Sequence, residues 1–155
     1  MNGILTAEPL ANCKATHTHF VRIYWEDTDA GGVVFYANYL KYFERARTEW
    51  LRTLGIHQHE LMHPVECDGQ QSMPISFVVS TATIKYIKPA KLDDWLKITL
   101  RVTHSGSASM DIAQEAWCEN VMITQFQVRI ACVDPISMKL RRLPEKIRHV
   151  INKNT

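Results

Sequence analysis

Three carboxylates stand close together near the start of this chain, in the stretch W-E-D-T-D-A-G-G-V-V-F-Y-A-N-Y over residues 25–39. Glu26, Asp27 and Asp29 come first, followed by a Gly-Gly pair and an aromatic stretch that begins a helical pattern. A carboxylate beside a helix N-terminus can attack a carbonyl or activate water, because free backbone N–H groups there can hold the developing negative charge. The stretch therefore predicts a catalytic pair made of an acid and the start of a helix.

Other interpretations of the same stretch are structural or concern bound ions. Asp side chains commonly cap N–H groups in turns, and on the residues alone Asp27 and Asp29 fit that role at least as well as catalysis. A calcium loop starting at Asp27 is excluded, because its fifth position would be Gly31 and its twelfth Asn38, where a bidentate Glu is needed. Gly31 and Gly32 lack the spacing of a phosphate loop, so we expect a tight turn that lets a substrate approach the backbone.

The elements that would position this stretch are a strand before it and a long helix after it. Residues 18–25 alternate in a way that predicts a strand buried on both faces. Over residues 38–54 apolar side chains recur every three or four positions, which predicts an amphipathic helix with Asn38 as its N-cap and Gly55 just beyond its end. Its expected apolar face consists of Leu40, Phe43, Ala46, Trp50 and Leu54.

The rest of the chain predicts a sheet. Residues 56–76 read as irregular, and four strands with short connections follow over residues 77–88, 95–103, 108–119 and 122–133. Short connections favour antiparallel neighbours. The order predicts an α+β fold in which a curved antiparallel sheet of five or six strands wraps around one long central helix. We expect one domain over residues 17–143, between a loose leader over residues 1–16 and a basic tail over residues 144–155 that forms a short helix.

Composition excludes several classes of protein. The 155 residues are 46% hydrophobic and 22% charged, which is typical of a soluble globular chain, and a net charge of +2 is too small to argue for nucleic-acid binding. No apolar run is long enough for a membrane helix and the N-terminus lacks the basic start of a signal peptide, so a cytoplasmic location is expected. The cysteines form no C-x-x-C pair and are expected to be reduced thiols: Cys13, Cys67, Cys118 and Cys132. His57, His59 and His63 make an incomplete ligand set, and neither a metal nor a cofactor is expected.

Three blocks occur in order along the chain: E-D-T-D-A-G-G-V-V-F-Y-A-N-Y-L-K-Y-F-E-R-A-R, then I-K-Y-I-K-P-A-K-L-D-D-W-L, then C-V-D-P-I-S-M-K. Together they resemble the hotdog-fold acyl-CoA thioesterases of the 4-hydroxybenzoyl-CoA thioesterase type, and within that family the branch associated with the bacterial Tol-Pal system. The resemblance implies a hotdog fold and hydrolysis of acyl-CoA to free acid and CoA, at a site between subunits of a homodimer or homotetramer.

The resemblance also implies roles for residues of the first block. Asp29 would be the catalytic carboxylate, as general base or as nucleophile, and Asp27 would support the loop. The backbone N–H of Tyr36 would polarise the thioester carbonyl. Some close relatives carry His at the position of Tyr36, so an imidazole role is excluded here while the backbone role is kept.

Substrate and partner residues are predicted more loosely. The acyl group is expected along the helix, and substrate contacts are assigned to Gly32, Val33, Tyr39 and Phe43. The candidates for the phosphates of CoA are Lys85, Lys88, Lys91 and Arg101. The alternative function is a scaffold with little turnover that binds acyl carrier protein or envelope-associated partners, and the basic residues over 139–153 favour it or a contact with an anionic membrane surface. A dehydratase is disfavoured because the first block contains no His.

Overall fold

The fold comes from a computed structural model that describes residues 16–63, 66–67 and 70–154. The predicted leader, with Cys13, lies outside these residues apart from Thr16. In chain order the elements are β1 (His17–Arg22), a 3-10 helix (Trp25–Asp27), α1 (Asn38–Thr53), α2 (Gln58–Leu61), β2 (Glu66–Cys67), β3 (Gln70–Gln71), β4 (Ser76–Tyr86), β5 (Trp95–Ser105), β6 (Ser109–Cys118), β7 (Val121–Val133) and α3 (Glu145–Lys153).

Five strands form one antiparallel sheet in the order β1-β5-β6-β7-β4, while β2 and β3 pair separately. The long helix α1 lies against one face of this sheet, nearest to β1 and β5. The predicted α+β architecture, a five-stranded antiparallel sheet around one long helix, is therefore confirmed. Among the described residues, none of the helices is long and apolar enough to cross a membrane.

Aromatic side chains of α1 form the centre of the core. Four aromatic side chains project from α1 into the core and are buried there: Tyr39, Tyr42, Phe43 and Trp50. The Phe43 ring stacks on Phe126 of β7, with ring centroids 4.9 Å apart and planes 8° apart. Because truncating a buried Phe typically costs about 3–5 kcal/mol, this stack fixes the helix on the sheet and thereby positions the helix N-terminus.

The predicted inner face of α1 was wrong at two positions. Leu40 is exposed, whereas Arg47, which is not part of the predicted apolar face, is buried. The Arg47 guanidinium donates to Gln114 Oε1 at 2.8 Å and forms an ion pair with Glu44. These partners compensate the charge, so the long side chain can fill space between the helix and the sheet.

Two predictions about the elements flanking the acids were also wrong. β1 is buried on one face only: Val21 joins the core, but Phe20 is exposed, because α1 covers only the inner side of the sheet. Asn38 is the first residue of α1 and not its N-cap, which is Ala37. The Asn38 side-chain amide instead donates to the backbone carbonyl of Asp27 at 2.9 Å and so ties the helix to the preceding loop.

The C-terminal helix α3 packs against the same core as α1. Its residue Ile151 is fully buried within the main hydrophobic cluster, and Pro144 stands at its N-cap. Lys146 and Lys153 remain exposed. The apolar residues of this segment thus face the domain and its lysines face outward.

Candidate active site

A small hairpin carries Asp29 between the 3-10 helix and α1. Thr28 and Val34 form an antiparallel bridge, and Asp29 N–H donates to the carbonyl of Val33 at 2.9 Å. Gly32 N–H closes the turn on the carbonyl of Asp29 at 3.0 Å, and Gly32 has φ +72°. A glycine with positive φ is what a three-residue hairpin of this kind requires. We call residues 28–34 the Asp29 hairpin.

The Asp29 carboxylate is exposed and is held on one side only. Its Oδ1 accepts a hydrogen bond from Gly31 N–H at 2.7 Å. Within the described part of the chain, Oδ2 accepts no hydrogen bond. One oxygen is therefore fixed by the turn, and the other is open to a water molecule or to a carbonyl carbon.

Asp27, in contrast, holds the loop through one carboxylate oxygen and through its backbone carbonyl. Its Oδ2 accepts from Tyr24 N–H at 2.8 Å. Its backbone carbonyl accepts from Phe35 N–H and from the Asn38 side chain, both at 2.9 Å. These bonds join the 3-10 helix to the start of α1, so Asp27 sets the path of the chain on both sides of Asp29.

The start of α1 leaves a backbone donor without a partner. Phe35 N–H is used by Asp27, and Asn38 N–H donates to the carbonyl of Phe35 at 2.9 Å. Two N–H groups lie between them, those of Tyr36 and Ala37, and neither has an acceptor among the residues the structure describes. Ala37 is the N-cap of α1, so the Tyr36 N–H lies one residue before the helix, at the end where the helix dipole favours negative charge.

Aromatic side chains and the segment after β4 surround the helix start. Tyr86 donates its hydroxyl to the carbonyl of Tyr36 at 3.1 Å, and the two rings meet edge to face at 6.3 Å. Ala90 accepts from Val34 N–H at 2.9 Å, and its own N–H donates to the Tyr39 hydroxyl at 3.2 Å. Burial raises the pKa of both Tyr39 and Tyr86, so these phenols act here as neutral hydrogen-bonding groups.

The remaining predicted residues divide into two groups. Lys85 and Lys88 are exposed and flank Tyr86, on the segment that contacts the helix start. Phe43 has no exposed surface in the single chain, so a contact between it and a substrate stays a prediction. Sequence reasoning did not assign Tyr86 or Ala90 to the site. Both residues lie in the second of the three sequence blocks, and the occurrence of that block after the first was the feature that could have pointed to them.

Comparison with known proteins identifies the family. The family profile described as thioesterase superfamily matches residues 31–124, which is more than half of the chain. The chain belongs to the thioesterase superfamily. This thioesterase is 41% identical over 128 residues to the acyl-CoA thioester hydrolase YbgC of Escherichia coli O6:H1 (strain CFT073), covering 82% of this chain and 89% of that protein. It is also 41% identical to the acyl-CoA thioesterase YbgC of Haemophilus influenzae, covering 83% and 88%.

A solved structure extends the likeness of this thioesterase to the fold. The probable thioesterase from Bartonella henselae superimposes with a TM-score of 0.74 at 34% identity, covering 83% of this chain and 98% of that one. The resemblance noted in the three sequence blocks is thus confirmed at the level of family and fold. Within the described residues, no group of three or more His, Cys, Asp or Glu side chains could hold a metal ion.

Proposed function

We propose that this acyl-CoA thioesterase hydrolyses its substrate with Asp29 as the reacting carboxylate and the Tyr36 N–H as the donor to the thioester carbonyl. The observation that carries the proposal is that the segment before α1 leaves two groups open, the carboxylate oxygen Asp29 Oδ2 and the backbone N–H of Tyr36. Relatives named as acyl-CoA thioester hydrolases support acyl-CoA as the substrate class.

Two chemical routes fit this arrangement. Asp29 either takes a proton from water as the oxygen of that water attacks the carbonyl carbon, or attacks the carbon itself to form a mixed anhydride that water then hydrolyses. In both routes the C–S bond breaks, CoA leaves with its sulfur protonated, and the acyl group becomes a free acid. The Tyr36 N–H stabilises the oxyanion, and one such donor is typically worth about 3 kcal/mol.

The substrate is proposed to approach along the start of α1. The backbone at Gly32 and Val33 and the exposed ring of Tyr86, which packs on the buried Tyr39, would contact the thioester end of the molecule. Lys85 and Lys88, exposed beside Tyr86, are proposed to bind phosphates of CoA. A carboxylate and a backbone donor suffice for this hydrolysis, so no cofactor is included in the proposal.

A homo-oligomer is proposed because the edge strand β4 is unprotected. Its first nine residues, S-F-V-V-S-T-A-T-I, contain no charge and no Pro, and most of the strand is exposed. Edge strands of stable monomers usually carry charged residues or Pro, which prevent pairing with another strand. We therefore propose that two copies pair through β4. An acyl carrier protein partner and a cytoplasmic location stay predictions.

Asp29→Asn tests the catalytic assignment. The amide oxygen can still accept from Gly31 N–H, so the hairpin is kept while the negative charge is lost. We expect the release of CoA thiol to fall by at least about 10²-fold, as on removal of a general base, with an unchanged thermal unfolding midpoint. Measurement uses a panel of short, long and aromatic acyl-CoA thioesters.

Glu26→Gln is the matched control, because Glu26 is an exposed acid three residues away that makes no hydrogen bond within the described residues. It is expected to retain the turnover of the parent protein. Near-parental turnover by Asp29→Asn would reject Asp29 as the reacting carboxylate.

A further inference from the structure

Ala90 is the residue at which the second sequence block meets the Asp29 hairpin. It lies four residues after the end of β4 and has no exposed surface. Its carbonyl accepts from Val34 N–H at 2.9 Å, and its own N–H donates to the Tyr39 hydroxyl at 3.2 Å. A line of hydrogen bonds therefore runs from the first turn of α1 through Ala90 to the end of the hairpin.

The bond between Val34 and Ala90 is the main contact of the hairpin with a distant part of the chain. Within the described residues, all other hydrogen bonds of residues 28–34 stay inside the hairpin or reach back to Trp25. The turn itself, residues 29–32, is exposed. The position of Asp29 relative to the domain thus depends on this backbone bond and on the burial of the Val34 side chain.

The side chain of Tyr39 has little freedom to move. It is 3% exposed, and its ring centroid lies 5.9 Å from those of both Tyr42 and Tyr86. Because Tyr has only two side-chain torsions, a packed ring also places the hydroxyl. The oxygen that accepts from Ala90 N–H therefore moves only with α1.

Packing alone does not explain this hydroxyl. Phe would fill the same apolar space, whereas the Tyr39 oxygen is the only acceptor of the Ala90 N–H within the described part of the chain. A buried N–H without an acceptor is unfavourable, so loss of that oxygen is expected to shift the segment around Ala90 towards water. Val34 would move with it, because the two residues share a backbone hydrogen bond.

We propose that Tyr39 is a positioning residue for the reaction, whose hydroxyl holds Ala90 and through it the Asp29 hairpin. This inference rests on the proposed function, because it takes Asp29 as the reacting carboxylate. It replaces the substrate contact expected from the sequence with a role that needs no contact with the acyl group. It also joins the first two sequence blocks, since the bond between Tyr39 and Ala90 spans 51 residues.

Tyr39→Phe removes the hydroxyl and keeps the ring. We expect kcat to fall about tenfold, because a shift of the hairpin misplaces Asp29, and KM for acyl-CoA to stay within about twofold. The fall in kcat should be the same for short, long and aromatic acyl groups, since none of them touches Tyr39. Parental kcat, or a change in KM that depends on the acyl group, would overturn the proposal.

Trp50→Phe is the matched control for a general loss of stability. Trp50 is another buried aromatic residue of α1, 11 residues beyond Tyr39 and so about 16 Å further along the helix. Its indole N–H has no hydrogen-bond partner within the described residues, so the substitution removes packing and no bond. We expect a lowered Tm and parental kcat, measured below the unfolding transition. A fall in kcat equal to that of Tyr39→Phe would assign the effect to the packing of α1 and overturn the proposal.

Exchange of the Val34 amide hydrogen tests the contact without reference to activity. By NMR of isotope-labelled protein, we expect this hydrogen to exchange at least about tenfold faster in Tyr39→Phe, because its bond to Ala90 is weakened. The amide hydrogens of β6 in the same variant are the reference for a global change in stability. An unchanged ratio of the Val34 rate to the β6 rates would contradict the proposal.

The double variant Tyr39→Phe with Asp29→Asn separates this inference from the proposed function. Because Tyr39 acts through Asp29, we expect the double variant to keep the residual turnover of Asp29→Asn. A further tenfold fall would show that Tyr39 acts on another group, which overturns the inference. Parental turnover in Asp29→Asn alone would instead reject the role of Asp29, so the two failures give different results.

Discussion

At the scale of single residues, crowding around the Asp29 carboxylate explains one glycine of the hairpin. A side-chain Cβ placed on Gly31 would lie 3.1 Å from Asp29 Oδ1. Gly31 has no positive φ, so the restriction is the space taken by the carboxylate and not the backbone conformation. At Gly32 the reverse holds: φ is +72° and no atom lies within 4 Å of an added Cβ. The two neighbouring glycines therefore serve different purposes, one for the acid and one for the turn.

Gly31→Ala should displace the carboxylate without unfolding the chain. We expect kcat to fall by about 10- to 100-fold, because a displacement of this order near reacting atoms is costly, and KM to change little. Ala30→Gly, at the neighbouring position, is the control and should leave kcat within about twofold if backbone freedom alone has no effect. Parental kcat in Gly31→Ala would mean that the carboxylate tolerates displacement.

At the scale of elements, buried or clustered charges hold loops and helices in place. The backbone N–H of Ser137, followed by the Arg141 guanidinium, holds the pKa of Asp134 well below its ordinary value of 3.8. The buried Arg47 similarly joins α1 to β6 through Gln114. The Asp134 contacts are local, since Ser137 and Arg141 lie three and seven residues away, so the shape of the loop over residues 134–140 depends on the ionisation of one side chain.

Asp134→Asn is predicted to lower the unfolding midpoint at pH 7. The folded-state pKa of Asp134 is depressed, so the ionised carboxylate stabilises the fold above the unfolded-chain value of 3.8, and this contribution disappears as the pH falls through the folded-state pKa. The difference in Tm between parent and variant should therefore shrink steadily below about pH 4. Glu145→Gln, on the surface of α3, is the control, and a difference independent of pH would contradict the assignment.

At the scale of the whole molecule, the two edges of the sheet differ. β1 has six residues and includes Arg22, whereas β4 has 11 residues and an uncharged centre. An uncharged, exposed edge of that length favours addition of another strand. The proposed pairing of two copies therefore uses β4 and not β1, the other edge of the sheet.

Thr81→Lys, at the centre of β4, should prevent this pairing. Near a two-fold axis it places two like charges close together, which costs several kcal/mol at an interface. We expect light scattering to show a shift towards the monomer mass, and acyl-CoA turnover to fall with it. Thr18→Lys, an exposed position on the other edge strand, is the matched control and should keep the parental mass. Parental mass in Thr81→Lys would place the oligomer interface elsewhere.

The sequence by itself predicted the five strands of the main sheet to within a few residues, the long helix, and the family. It missed α2, β2 and β3, which lie in the segment over residues 56–76 that was expected to be irregular. It also singled out Asp29 and Tyr36 as candidates. These features were accessible because hydrophobic periodicity, turn residues and contiguous motifs are local properties of the chain. Predictions of burial failed where packing intervened, as with the exposed Leu40 and the buried Arg47.

Only the tertiary structure decided which distant groups meet. The contact of Tyr86 with Tyr36 spans 50 residues, and that of Arg47 with Gln114 spans 67. No local pattern encodes such pairs, because they depend on the register of β4 against β7 and on the position of α1 over the sheet. The open oxygen of Asp29 and the free N–H of Tyr36 are consequences of that packing. The sequence therefore determined which residues could react, and the fold determined which of their atoms are free to do so.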